Sequence, residues 1–189
     1  MKFKESALAH KYLDGLVGIE IGGSAHNAFG LDTINVDYTD SMDTVYKNME
    51  IELCGEALPV DVIASGDNLP FSDKSYDFVV SSHVIEHFWD PIAALKEWER
   101  VARKYIFIIA PHKMRTFDID REITQTQELW DRHDGKLEKP ESVPKDHYSV
   151  WDTSAFLSFM EDLGYKVVEY QDVDDKVGNG FSVVIELED

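Results

Sequence analysis

The stretch Leu16-Val17-Gly18-Ile19-Glu20-Ile21-Gly22-Gly23 decides the fold. A short apolar run leads straight into two glycines, which reads as a buried strand handing the chain to a tight turn. Working outward, four further runs have the same character: Thr33-Ile34-Asn35-Val36-Asp37, Val60-Asp61-Val62-Ile63-Ala64, Asp77-Phe78-Val79-Val80-Ser81 and Tyr105-Ile106-Phe107-Ile108-Ile109-Ala110. Helix-like stretches accompany them. Residues 4–14 carry Ala7, Leu8, Tyr12 and Leu13. Residues 91–103 start behind Asp90 and Pro91 and place Ile92, Leu95, Trp98 and Val101 at helical spacing. Residues 153–163 carry Phe156, Leu157, Met160 and Leu163, with Gly164 as a left-handed cap. Such alternation predicts an α/β fold with a mostly parallel sheet.

The C-terminal end departs from that rhythm. Tyr165 to Tyr170 and Phe181 to Ile185 are both strand-like, and the ten polar residues between them are too few for a helical crossover. The two strands are therefore expected to pair antiparallel. The whole reads as a doubly wound, mostly parallel, seven-stranded sheet with a C-terminal antiparallel hairpin. Its 189 residues fit one domain spanning 1–189. Residues 112–150 stand outside the alternation, are polar, and hold His112, Arg115, His133 and His147. A long excursion after a strand's C-terminal end usually covers a site, so these residues are expected to be a substrate-covering insertion. Trp130 and Trp151 read as exposed aromatics of that excursion.

Charge excludes some functions. Eighteen Lys and Arg against 37 Asp and Glu give a formal charge of −19. Such a surface repels phosphate backbones and anionic membranes, which argues against nucleic-acid or membrane partners. The apolar runs are far shorter than a membrane span. The opening Met1-Lys2-Phe3-Lys4-Glu5 lacks the apolar core of a signal peptide. A single cysteine, Cys54, permits no intrachain disulfide. A cytoplasmic location is the resulting expectation.

Ligands of open α/β sheets bind at the C-terminal ends of the strands. After the first strand comes Glu20-Ile21-Gly22-Gly23-Ser24-Ala25-His26, which is not a GxGxxG fingerprint because Ser24 stands at the second glycine. Asp37 ends the second strand, where a carboxylate accepts both hydroxyls of a ribose; NAD and S-adenosylmethionine satisfy this equally. Ser65-Gly66-Asp67-Asn68-Leu69-Pro70-Phe71 follows the third strand, and Ser81-Ser82-His83-Val84-Ile85-Glu86-His87 ends the fourth. His83 and His87 are four apart and would face one metal on a helix. There is no HExxH pattern, and no third ligand is placed by sequence, so no metal is assigned.

Taken together, the glycine turn behind an acidic residue, Asp37, the Gly-Asp-Asn-Leu-Pro-Phe stretch and the His-Val-Ile-Glu-His stretch resemble class I S-adenosylmethionine-dependent methyltransferases. The resemblance covers residues 16–111, and the terminal hairpin agrees with that family's reversed last strand. Pro111-His112, Thr116-Phe117-Asp118 and Asp146-His147-Tyr148 are similar to small methyltransferases of sugar and polysaccharide modification. The resemblance implies a Rossmann-like methyltransferase fold with S-adenosylmethionine as cofactor. It places Glu20, Gly22, Gly23 and Ser24 around the methionine end. It gives Asp37 the ribose and Tyr38 the adenine edge, with Asp67, Asn68 and Leu69 at the adenine ring. Ser82 and His83 lie by the sulfonium and the acceptor. The departure is Gly23-Ser24-Ala25-His26, where the family usually has another glycine.

A hydroxyl acceptor must lose a proton, and histidine suits that task near neutral pH. His112, His83 and His147 are the candidate catalytic residues, with His112 favoured because it follows the fifth strand directly; His133 is a further candidate. Arg115 and Arg121 could hold an anionic group of the acceptor. The leading expectation is methyl transfer to a small-molecule or glycan-like acceptor at oxygen, with the oligomeric state open. The alternative is a non-catalytic module that binds the cofactor as a sensor or partner subunit. A nicotinamide enzyme is disfavoured by the glycine spacing and by the hairpin.

Overall fold

The computed structural model describes residues 3–23 and 29–188. Seven strands form one sheet: β1 (Val17–Ile21), β2 (Asp32–Asp37), β3 (Val62–Ile63), β4 (Tyr76–Ser82), β5 (Ala102–Pro111), β6 (Lys166–Gln171) and β7 (Gly180–Glu186). Their order is β3-β2-β1-β4-β5-β7-β6. The first five pair in parallel, and β7 runs antiparallel to both β5 and β6. The helices are α1 (Ala7–Leu13), α2 (Val45–Cys54), α3 (Pro91–Val101), α4 (Thr126–His133) and α5 (Thr153–Asp162).

The central strands are apolar at successive positions because both faces of the sheet are covered. Ile19, Val79, Ile106, Ile108, Val183 and Ile185 point to one face, under Trp98 of α3, Leu129 of α4 and Phe156 and Phe159 of α5. Phe78, Val80, Phe107, Ile109 and Val184 point to the other, under Leu8, Ala9 and Leu13 of α1 and under Phe29. Asp90 caps α3 by accepting from the amide of Ala93 at 3.0 Å, and Asp152 caps α5 by accepting from Ala155 at 2.8 Å.

Several sequence expectations are corrected. The third strand shrinks to Val62–Ile63, an edge strand; Asp61 instead turns its carboxylate to accept from the amide of Asn35 at 2.8 Å. The helix expected over 91–103 ends at Val101, and Ala102 enters β5 with no intervening loop. Helix α2 was not expected. Its buried residues are Lys47, Glu50 and Cys54, so its inward face is mostly polar and the amphipathic signal is inverted. Trp151 is 1% exposed and stacks on Phe159, which makes it core rather than surface.

Residues 112–150 contain three short 3-10 turns, Lys113–Arg115, Phe117–Asp120 and Pro144–Asp146, besides α4. The segment is tied to the domain at both ends. Lys113 donates its amide to the carbonyl of Trp151, and the amides of Tyr148 and Ser149 both reach the carbonyl of Glu86, at 2.8 and 3.3 Å. No described helix is long and apolar enough to cross a membrane.

Candidate active site at the C-terminal edge of the sheet

The parallel strands end along one edge. At β1 the chain turns through Gly22, whose φ is +66° and whose amide donates to Val36 at 2.8 Å. A Cβ on Gly23 would lie 2.8 Å from Asn35 Oδ1 and 2.9 Å from Glu20 Oε1, so a side chain there would displace the ends of these two side chains. Glu20 is buried, and burial pushes its carboxyl up to about 7 against the pull of the Lys176 charge and a bond from the Phe29 amide. Beneath the turn, Lys47 is buried against Glu50 at 2.9 Å and also donates to the carbonyls of Leu58 at 2.7 Å and Gly23 at 3.4 Å. Ser24 and His26 lie outside the described residues.

At the end of β2 the Asp37 carboxylate accepts from the Tyr38 amide at 2.7 Å, and burial raises its pKa. Tyr38 is 61% exposed. In the next loop Ser65 donates to the carboxylate of Asp67, and Asn68 donates its amide to the carbonyl of Ser65. Leu69 is buried and pinned through its backbone, with its amide bonded to Glu97 at 2.7 Å and its carbonyl to Arg100 at 3.2 Å. Ser81 and Ser82 end β4 with buried hydroxyl oxygens that have no hydrogen-bond partner among the described residues.

His83 follows in the left-handed region, with φ +56°, its amide bonded to Ile109 at 2.8 Å. A non-glycine residue held there is strained, and such strain gathers at functional sites. His83 and His87 do not share a helix: the chain makes a 3-10 turn at Ile85–His87. Both rings nevertheless reach the same carboxylate. His83 Nδ1, His87 Nε2 and His147 Nε2 lie 4.0, 3.7 and 3.8 Å from Glu86 Oε1. Glu86 is fully buried, and burial pushes its carboxyl up to about 8. His147 Nδ1 meets Asp118 Oδ2 at 2.7 Å, and Asp118 is held by Arg121 at 2.6 Å. His87 Nδ1 meets the carbonyl of Asp146 at 3.1 Å, and burial beside His147 pushes its pKa down to about 4.

The β6–β7 hairpin closes the edge from the far side. The carboxylate of Asp174 accepts from four backbone amides, those of Lys176, Val177, Gly178 and Gly180. This fixes a loop that carries Lys176, buried, to 4.4 Å above the ring of Phe29 and into the field of Glu20. Asp175 of the same loop accepts from the amide of Leu8 in α1 at 3.0 Å.

The structure thus gathers His83, Glu86, His87 and His147. The other expected groups sit apart from that cluster. His112 turns Nδ1 to the amide of Met114 at 3.1 Å and holds Nε2 4.0 Å from Asp172, and burial lowers its pKa. His133 bonds Asp90 at 2.8 Å and ties α4 to the start of α3. Arg115 is engaged by Asp172 and by the carbonyl of Gly180, and Arg121 by Asp118 and the carbonyl of His147. Sequence reasoning missed Glu86, Asp118, Asp174 and Lys176 as functional groups. Glu86 was visible between two histidines; nothing in the sequence marked Lys176.

The strand order and the reversed β7 are those of a Rossmann-like methyltransferase fold. Residues 17–109, just under half of the chain, match the family described as methyltransferase domain, and this match together with the fold supports an S-adenosylmethionine-dependent methyltransferase. Three solved structures share the fold. An S-adenosylmethionine-dependent methyltransferase from Thermotoga maritima is 18% identical, with a TM-score of 0.58 over 96% of this chain and 86% of that one. One from Aquifex aeolicus is 16% identical, with a TM-score of 0.51 over 97% and 95%. One from Methanosarcina mazei is 15% identical, with a TM-score of 0.56 over the full length of both chains. No curated protein matches the chain in sequence.

The residues present fit that cofactor. The turn through Gly22, held at φ +66°, bares backbone at the end of β1 that a ligand can approach. The unpartnered hydroxyls of Ser81 and Ser82 are buried polar groups that a ligand can satisfy. The acids Glu20 and Asp37 suit a ligand that carries ammonium and sulfonium charges.

Proposed function

We propose that the enzyme methylates a hydroxyl oxygen of a small-molecule or glycan-like acceptor. Bound S-adenosylmethionine supplies a methyl group already activated on sulfur. In this reading Asp37 takes the ribose hydroxyls and Tyr38 flanks the adenine, with Asp67, Asn68 and Leu69 around the ring. Glu20, Gly22, Gly23 and Ser24 hold the methionine end, and Ser82 lies beside the sulfonium. The acceptor lies over the end of β4, beside His83.

The observation that carries this reading is the convergence of three imidazoles on one buried carboxylate oxygen, Glu86 Oε1. A neutral amine attacks a methyl donor without losing a proton first. A hydroxyl needs its proton taken, and a cluster of proton-accepting side chains is what that chemistry requires. His83 is the base of this proposal, held by its left-handed backbone at the end of β4. His147, oriented by Asp118, frames the acceptor. His112 faces a different groove, between α5 and β6, with Asp152, Thr153 and Asp172.

Methyl transfer from labelled S-adenosylmethionine to a panel of hydroxyl and amine acceptors tests the reading. Hydroxyl compounds are expected as products. His83→Ala should lower kcat by about 10²–10⁴-fold with unchanged cofactor affinity. Methylation confined to amines, insensitive to His83→Ala, would overturn it.

A further inference from the structure

We propose that Glu86, His87 and His147 form a site for one divalent transition-metal cation, which takes the oxygen of the acceptor; its role, though not its existence, rests on the oxygen-methylation reading. One ligand atom from each residue lies within 4.8 Å of the others. Metal–nitrogen and metal–oxygen bonds of about 2.0–2.2 Å put neighbouring ligand atoms of a tetrahedral site about 3.3–3.6 Å apart. Glu86 Oε1 is 3.7 Å from His87 Nε2 and 3.8 Å from His147 Nε2, slightly wider than that. The three side chains must draw together to hold one ion.

Two independent observations point into this space. First, Glu86 is fully buried, and neither carboxylate oxygen has a hydrogen-bond partner among the described residues. A buried carboxylate left unpaired is costly, and a cation is a natural occupant of the space it faces. Second, the other nitrogen of each imidazole ligand is already engaged. His147 Nδ1 faces the Asp118 carboxylate, which itself is paired with Arg121, so Nδ1 carries the hydrogen and donates. His87 Nδ1 faces the carbonyl of Asp146, so it donates too. In both neutral rings Nε2 is left with its lone pair toward Glu86. This carboxylate–histidine arrangement is the outer support of metal-bound imidazoles.

The donor set defines the ligand class. Two imidazoles and one carboxylate suit zinc, iron, manganese or cobalt better than magnesium or calcium, which prefer all-oxygen cages. Three protein ligands leave positions open, as in catalytic rather than structural sites. An acceptor hydroxyl that takes an open position is oriented by the ion, becomes easier to deprotonate, and presents its proton to His83. The site also spans two parts of the chain, because His147 comes from the insertion and Glu86 and His87 from the turn after β4.

Cobalt(II) alone is the probe, titrated into chelator-stripped protein in millimolar magnesium that saturates the acidic surface. Heat and the visible spectrum of the bound ion are recorded, and S-adenosylmethionine affinity is measured in parallel for every variant as a check on folding. One equivalent of cobalt with an imidazole-type spectrum is expected. His147→Ala and Glu86→Gln should each weaken it by at least 100-fold, and Asp118→Asn by about 10–100-fold. No stoichiometric binding, or binding unchanged in His147→Ala, would overturn the proposal. Hydroxyl methylation at full rate after exhaustive chelation overturns the ion's role in transfer while leaving oxygen transfer in place. One tight equivalent with no hydroxyl acceptor methylated upholds the site and rejects the oxygen reading instead.

Discussion

His147 and Asp118 meet at 2.7 Å, both buried, with Arg121 fixing the far side of the carboxylate. The pair sets the tautomer of His147, because an ionised carboxylate only accepts. Asp118→Asn offers an amide in its place and frees the ring to turn. We expect acceptor turnover to fall by roughly tenfold or more, in line with the loss of an orienting partner, while cofactor affinity is unchanged. Steady-state kinetics beside calorimetric titration of S-adenosylmethionine separates the two effects.

Asp37 tests the cofactor side. Its carboxylate is engaged by a single described donor, the adjacent Tyr38 amide, so its loss leaves the fold intact. Asp37→Ala should weaken S-adenosylmethionine binding by about tenfold or more, equivalent to at least 1.4 kcal/mol. Unchanged affinity with an unchanged melting temperature would remove Asp37 from the ribose.

Glu20 makes stability fall as pH rises. Its folded pKa is about 7, raised from an unfolded value of 4.5 by burial. Between those values the folded state holds a proton that the unfolded state has released, so each pH unit of increase costs stability. From pH 5 to pH 7 the group costs about 2 kcal/mol, because the slope of roughly 1.4 kcal/mol per unit is only partly developed at either end. Above pH 7 its contribution levels off. Urea denaturation of cofactor-free Glu20→Gln across this range should show a correspondingly flatter profile than the parent protein.

The buried pair Lys47–Glu50 supports the glycine turn from below. Lys47→Met strands the carboxylate of Glu50 in the interior and is expected to cost about 3–5 kcal/mol. Replacing both partners by apolar residues of similar volume should recover most of that loss. Denaturant midpoints of the single and double variants give the answer directly.

Asp174 receives four backbone amides, and its removal leaves all four to find other partners. Asp174→Ala should destabilise the domain by about 3 kcal/mol, given 1.5–3 kcal/mol for a hydrogen bond to a charged group and partial rescue by water. Hydrogen exchange is expected to rise first at residues 175–180.

What the sequence reveals depends on how locally each feature is specified. Strands β1, β4 and β5 were legible because burial on both faces leaves continuous apolar runs, and the hairpin because ten residues cannot cross the sheet. Helix α2 was hidden because Lys47 and Glu50 are among the residues it buries, so the usual apolar stripe is missing. Helix α4 buries only Leu129 and Arg132, too little for a period to show. His83 was legible at the end of a strand, but its left-handed backbone, the 3-10 turn that follows and the part of Glu86 were not. The part played by His147 was the least legible, because it depends on where the insertion returns to the sheet. That return is made by two backbone bonds to Glu86, which no side-chain pattern announces.

Those two bonds have a consequence for how the enzyme can diversify. Glu86 offers its carbonyl to Tyr148 and Ser149 and its carboxylate to the histidines, so one residue joins the turn that completes the cofactor-binding half to the segment that meets the acceptor. The seam lies at a single position. On one side the architecture is constrained by a ligand that never changes. On the other, Arg121 still serves the seam through Asp118 and His147, whereas residues 134–143 lie in the same segment without taking part in it. Sequence change in 134–143 therefore leaves both the seam and the way the methyl donor is held in place.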